Sequence, residues 1–417
     1  MLPSLVVFGL TIAGIIFRPF RRSEAFMACL GAAAMVVLGI ITLSDAAVAL
    51  SGSLNVLGFF LGLMVVAAVA ESAGLVEAVT QRAAAWSGGS GRRLLLIVFG
   101  VGVVTTSLLS NDATALMLTP VVFLLARRLS LDPLPYVFAC AFIANAASFL
   151  LPVANPVNLL AVDAFDLRLG DYLVHLLLPG LVVIGATAAI FLFIFRRETG
   201  RTFAVPAPPP PGRPMLRLVI VVLFGIVAGY VIFSLNGWPL SLPVLAGAAV
   251  LLTMGSMGSR LKWPELARSV SWSILPFVAA LAVLVKGLEA GGATAALAGL
   301  YDGLLGNGGL AAGLATSFST AAASNVMNNW PAMMVSVTTL SGAPEAVAQN
   351  PGLPYQAILG AALGPNIAVM GSLSSMLWLV LLRRRGLFVS AGAFFRLGML
   401  VTPAALLLGS LTLYLLS

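Results

Sequence analysis

Charge is what this sequence has least of. Asp, Glu, Lys and Arg make up 9% of its 417 residues, against 60% hydrophobic residues. A soluble globular domain is about one quarter charged. That shortage excludes a soluble fold, and apolar runs of bilayer-spanning length recur from end to end. Histidine occurs once and cysteine twice. A lone His, with no HExxH motif, leaves a hydrolase without its base or metal. Cys29 and Cys140 belong to no CxxC or Cys/His cluster, so neither a zinc site nor a three-thiolate site can form. Both read as small apolar core residues. No GxxxxGK[ST] occurs, and the Gly-rich Ser87–Arg93, SGGSGRR, lacks that pattern, so the chain has no P-loop through which to use ATP. These absences point away from an enzyme, a cofactor and a resident metal.

Lipid cannot satisfy backbone N–H and C=O groups, and runs of helix length imply an all-α integral membrane protein. The expected apolar segments are Leu5–Phe17, Ala25–Leu43, Leu54–Gly74, a pair Leu94–Leu109 and Ala113–Ala126, Tyr136–Leu160 and Leu173–Phe195. Beyond a Pro-rich stretch at Arg196–Pro214 come Leu218–Leu235, Leu240–Met257, Trp272–Leu288, a pair Leu310–Ala323 and Met327–Leu340, Tyr355–Leu382 and Phe395–Leu416. Leu5–Phe17 lacks a small-residue cleavage site after it and reads as a retained span, not a signal peptide. The Pro-rich stretch reads as a semi-extended linker. The domain reading is a first membrane repeat over 1–195, a linker over 196–216, and a second repeat over 217–417.

The repeat rests on one offset, 217 residues (328 minus 111), which needs no gap across the matched region. It places Phe60 on Phe277, Gly74 on Gly291, Ser107 on Ser324, Asn111 on Asn328, Met117 on Met334, Asn155 on Ser372 and Asn158 on Ser375. With each apolar pair taken as a re-entrant hairpin, each half has about five spans and a broken helix. An odd number inverts the second half relative to the first. Of the 22 Lys and Arg residues, all but Arg168 and Lys286 then fall on one face. By the positive-inside rule that face is cytoplasmic, which puts the linker inside and both termini outside. Charge fixes sidedness here, not hairpin depth. The net charge of +8 reflects these topology signals and not a nucleic-acid surface. Inverted repeats around broken helices are a design of secondary transporters.

Polar residues at mid-depth mark the candidate site. Ser110, Asn111 and Asp112 stand at the tip of the first hairpin, and Asn328 and Asn329 at that of the second. Capping of helix ends explains Ser110 and Asn111. It explains Asp112 less well, because a neutral Asn would cap without a charge. Desolvation favours the protonated carboxyl, so a carboxylate at this depth can carry a proton. Two further breaks are expected. LPVANPVN, Leu151–Asn158, has Asn155 and Asn158 about its second proline, and LGPNIAVMGSLSS, Leu363–Ser375, combines Gly364, Pro365 and Gly371 with Asn366, Ser372, Ser374 and Ser375. Non-helical backbone at this depth is tolerated only against protein or a wet cavity, so four polar breaks suggest one central site. Glu71 and Lys286 are weaker candidates for proton coupling. Lys286 and Glu289 read more simply as an i,i+3 pair. His175 reads as interfacial.

In order, SNDATALMLTP, FIANAASFLLPVANPVNLL, MNNWPAMM and LGPNIAVMGSLSSMLWLVLLRRRG resemble the arsenical pump membrane proteins of ArsB type, within the ion transporter superfamily. The resemblance implies export of trivalent arsenite and antimonite in exchange for protons, around two hairpins and two broken helices. By position it implies a site of Asn111, Asp112, Asn155, Asn158, Asn328, Asn329, Ser372 and Ser375, with Asp112 as the proton carrier. Some members work with a soluble cytoplasmic arsenite-stimulated ATPase, and the linker is on the side such a partner would reach. Arsenite near neutral pH is an uncharged trihydroxide, which Asn and Ser can both donate to and accept from. A dicarboxylate would favour fixed cations, and the motifs contain none. A sodium/proton antiporter of the same superfamily remains the alternative, since a carboxylate and backbone carbonyls suit Na⁺.

Overall fold

A computed structural model of the chain describes residues 2–17, 23–108, 110–205, 214–236, 238–239, 241–257, 263–270, 272–292 and 309–417. Arg18, Arg21, Arg22, Arg213, Arg260, Lys262 and the side chain of Glu71 lie outside the described residues. Among those described, the chain is helical apart from turns and one isolated bridge between Ser90 and Thr202. Leu169–Ile194 and Ala391–Leu416 are each long and apolar enough to cross a bilayer as single helices. The chain is an all-α membrane protein, as its composition requires.

Two compact units form, and each draws on both halves of the sequence. Met1–Glu77 with Pro210–Thr294 makes the first, and Ala78–Pro209 with Ala295–Ser417 the second. In the first, Leu54–Ser72 packs along Ser241–Met257. Gly62 lets the two backbones approach, since a Cβ there would stand 3.1 Å from the amide nitrogen of Leu245. Small residues are what allow close helix contact in lipid, where the hydrophobic effect gives no drive between helices. Asn55 Oδ1 accepts from the Ser241 N–H over 3.1 Å and fixes the register. Glu24–Val37 packs against Ile274–Ala290, on which Lys286 Nζ meets Glu289 Oε2 at 3.0 Å as a half-exposed i,i+3 pair. Cys29 corrects an expectation. It is exposed on its helix and not in the core, with Sγ 3.7 Å from the Pro276 carbonyl, whereas Cys140 is buried.

The second unit holds both hairpins and both broken helices. The first hairpin runs up Gly91–Leu108, turns at Asn111–Ala113, and returns through a π-helical turn, Thr114–Leu118, into Thr119–Arg128. Pro120 accounts for the wide turn: it has no N–H for the carbonyl four residues back and its ring crowds that carbonyl. The second hairpin is Gly309–Met327 followed by Asn329–Ser341. Its turn lies at Asn328, where the sequence places the tip. Ser324 Oγ donates to the Thr320 carbonyl over 2.8 Å and Asn325 Nδ2 to the Ala321 carbonyl over 2.7 Å, so both fold back on their own helix and the break waits for Asn328. Leu43–Gly52, Leu75–Ser87, Trp263–Ser269 and Pro344–Gln349 are further short helices that the apolar runs did not announce.

The Gly-rich loop and the start of the linker explain each other. The Gly91 N–H donates to the Arg201 carbonyl over 3.1 Å, and the Phe203 N–H to the Gly89 carbonyl over 2.9 Å. Gly89 has φ +77°, and a Cβ on it would lie 2.7 Å from the Phe203 carbonyl oxygen. The loop is therefore a seat for Arg201–Phe203, and the linker's first residues are docked instead of semi-extended. His175 is half-buried, its Nδ1 2.7 Å from the Asp171 carbonyl and its ring stacked on Tyr355 with centroids 4.4 Å apart.

Candidate functional site

Both helix breaks follow from their sequences. The first separates Leu134–Ala146 from Pro156–Ala164, with Pro152–Ala154 as a short 3-10 turn between them. Pro156 opens the second segment, where a missing N–H costs nothing, and Asn155 caps it by accepting from the Val157 N–H over 3.2 Å. The second break separates Leu353–Leu363 from Leu373–Arg384 across two 3-10 turns. Gly371 is obligatory there, since a Cβ would lie 2.6 Å from Pro365 Cα. Ser372 caps the following segment through the Ser375 N–H at 3.2 Å. Asn155 and Ser372, 217 residues apart, thus do the same local work.

The hairpin tips repeat this relation. Asn111 Oδ1 accepts from the Asp112 N–H over 2.9 Å, and Asn328 Oδ1 from the Trp330 N–H over 3.3 Å. Asn328 has φ +78° and ψ 155°, a backbone conformation that side chains other than glycine rarely adopt. Each tip also meets the second break. Asn111 Nδ2 donates to Ser374 Oγ at 3.3 Å, and Asn328 Nδ2 to the Met370 carbonyl at 3.2 Å. The segments after the breaks cross over to the hairpins: Leu373–Arg384 lies against the π turn of the first, and Pro156–Ala164 against Asn329–Ser341 of the second.

At the centre is a residue that reading the sequence did not select. Asn145, 1% exposed, donates through Nδ2 to Asn366 Oδ1 at 2.9 Å and Ser375 Oγ at 3.1 Å. Its Oδ1 lies 3.3 Å from both Ser372 Oγ and Ser374 Oγ. Ser372 Oγ is also 3.0 Å from Ser374 Oγ and from Ser375 Oγ. A hydroxyl has one proton, so Ser372 cannot serve all of these acceptors at once. The knot keeps spare hydrogen-bonding capacity that a small polyhydroxy ligand can take up. Asn366 is tied down by donating to the Phe142 carbonyl at 3.1 Å.

Of the expected site residues, Asn111, Ser372 and Ser375 join this knot, with Asp112 adjoining through Asn111. Asp112 is buried, and its Oδ1 has no hydrogen-bond partner. A carboxylate oxygen left bare in an apolar environment is costly, and a proton or a ligand hydroxyl relieves that cost. Asn328 meets the second break through Met370, and Asn329 is buried on the hairpin helix it begins. Asn155 and Asn158 act within their own break. Asn158 Nδ2 donates to the carbonyls of Ser148 at 2.8 Å and Leu151 at 3.3 Å, which the interrupted helix leaves open. Lys286 belongs to the other compact unit. Among the described residues no group of three or more His, Cys, Asp or Glu side chains could hold a metal ion.

Known proteins share this chain's pattern along nearly its whole length. Residues 12–362 match the family model described as citrate transporter, CitMHS. The arsenical pump membrane protein of Yersinia enterocolitica is 30% identical over 410 residues, covering 96% of each chain. That of Escherichia coli K12 is 28% identical over the same length and coverage. The crystal structure of the Alcanivorax borkumensis YdaH transporter superposes with a TM-score of 0.53 at 14% identity, covering 99% of this chain and 98% of that one. It supports the fold alone.

Proposed function

The chain belongs to the citrate transporter (CitMHS) family, as a multi-pass inner-membrane transporter of the arsenical-pump type, and we propose that it exports trivalent metalloid, arsenite or antimonite, in exchange for protons. The observation that carries this reading is the chemistry of the knot. Asn111, Asn145, Asn366, Ser372, Ser374 and Ser375 present neutral donors and acceptors, and none of them is a cation. A neutral trihydroxide fits such a set as both donor and acceptor, whereas a citrate-like polyanion would arrive with no charge to meet it.

Asp112 supplies the coupling. With its Oδ1 bare, it takes a proton from the periplasmic side or a hydroxyl of the cargo, and not both. Each positive charge carried inward gains about 2.3 kcal/mol per 100 mV, in addition to any pH gradient. The orientation that goes with this reading has the linker over 196–216 in the cytoplasm and both termini in the periplasm, with 1–195 and 217–417 as inverted repeats. A soluble ATPase partner would meet the linker side.

The test is uptake into everted vesicles with arsenite, antimonite and citrate offered in parallel. Metalloid uptake driven by an acid interior, with citrate left outside, is the expected result. Citrate uptake in place of arsenite would refute the reading.

A further inference from the structure

The second hairpin carries more buried hydroxyls than its tip needs. Thr316, Thr320 and Ser324 stand at four-residue steps along Gly309–Met327, on one face leading to Asn328, and each is at most 1% exposed. Across the hairpin, Thr320 Oγ1 is 2.8 Å from Ser336 Oγ. Between antiparallel helices that contact puts Ser317 level with Thr339, one turn farther from the tip. At this level Ser410 Oγ donates to Ser317 Oγ over 2.8 Å, and Gln356 Nε2 donates to the Ser410 carbonyl over 3.0 Å.

Three atoms of this layer are buried with no hydrogen-bond partner: Thr316 Oγ1, Thr339 Oγ1 and Gln356 Oε1. Hydroxyls that serve only their own helix bond back to it, as Thr320 Oγ1 does to the Thr316 carbonyl at 2.7 Å. These three do not. Orphaned polar atoms gathered on one level are what internal water satisfies, at two to four bonds per molecule.

We propose that this layer holds a cluster of ordered waters and is the outer end of a proton path along the second hairpin. Beyond Ser324 the hairpin is bonded to the break that carries the site. Asn325 Oδ1 accepts from the Ala368 N–H at 2.8 Å, in the break that carries Ser372 and Ser374, and Asn111 next to Asp112 bonds Ser374. The existence of the waters rests on the unpaired atoms; their use for protons rests on the proton-coupled reading above.

The experiment uses the full chain in lipid vesicles, comparing wild type with Thr316→Val/Thr339→Val/Gln356→Leu. Pulsed X-ray radiolysis of bound water labels side chains beside it. Wild type is expected to be labelled in the peptides covering Gly309–Ser341 and Leu353–Leu363, with the triple variant at least threefold lower. Arsenite-coupled proton flux is expected to fall at least tenfold, with arsenite binding changed less than twofold. Equal labelling overturns the water layer, and lowered labelling with wild-type proton flux overturns the path. If wild type itself moves no protons with arsenite, the coupled reading and the path fail together while the labelling still decides the layer. Gln356→Leu alone provides the same comparison if the triple variant does not fold.

Discussion

Asn145 Nδ2 donates to Asn366 Oδ1 over 2.9 Å, joining positions 221 residues apart in the chain. The bond ties the end of the first segment of one broken helix to the interruption of the other. Asn145→Ala would leave Asn366 Oδ1 and the hydroxyls of Ser372, Ser374 and Ser375 short of a partner. Each buried group stranded in this way costs about 1–3 kcal/mol. Thermal unfolding of the detergent-purified variant is expected several degrees below wild type, with metalloid transport reduced at least tenfold; transport at the wild-type rate would show the knot to be dispensable.

Ser372→Ala separates capping from binding. The substitution removes the acceptor for the Ser375 N–H and the bonds of Ser372 Oγ to Asn145, Ser374 and Ser375. Loss of an N-cap costs about 1 kcal/mol. Ser372→Asp restores the cap but adds a negative charge to a neutral knot. Stability is expected to return in the Asp variant, measured by thermal unfolding, while arsenite binding does not. Recovery of both would reduce Ser372 to a helix cap.

Gly364 faces the backbone of the second hairpin, where a Cβ would lie 2.6 Å from the Ala321 carbonyl oxygen and 2.7 Å from its Cα. Backbone cannot move aside as a flexible side chain can. Gly364→Ala is expected to destabilise by about 1–3 kcal/mol through overpacking, read as a lower midpoint of thermal unfolding. An unchanged midpoint would mean that the two segments pack less closely than described.

Gly89→Ala tests the seat beneath the linker. At φ +77° and 2.7 Å from the Phe203 carbonyl oxygen, a methyl group is both strained and crowded. Release of Arg201–Phe203 is expected to make Arg201 cut several-fold faster in limited trypsin digestion. Equal rates would show that the seat does not hold the linker.

Much of this was readable from the chain because amides, hydroxyls and one carboxyl stand out against an apolar background. The tips at Asn111 and Asn328 and the breaks near Pro156 and Pro365 announced themselves through Pro, Gly and capping residues. Asn145 did not. It is the next-to-last residue of Leu134–Ala146, a helix with no proline or glycine at that point, and its importance lies in partners more than two hundred residues away. The turn of the second hairpin was legible at Asn328, while Ser324 and Asn325, which also look like turn formers, satisfy themselves on their own helix. Asn155 and Asn158 stand out as polar elements of a break, and they bond within that break. The Gly-rich loop carried no nucleotide motif, and its purpose became visible only with Phe203 lying against it.

The most direct measurement is arsenite accumulation in everted vesicles, in sodium-free buffer, with the interior made acid. Wild type should concentrate arsenite in proportion to the pH gradient. Asp112→Asn should bind arsenite in detergent yet bring it no higher than the outside concentration. Gradient-driven accumulation by Asp112→Asn at the wild-type level would contradict the assignment of Asp112 as the coupling carboxyl.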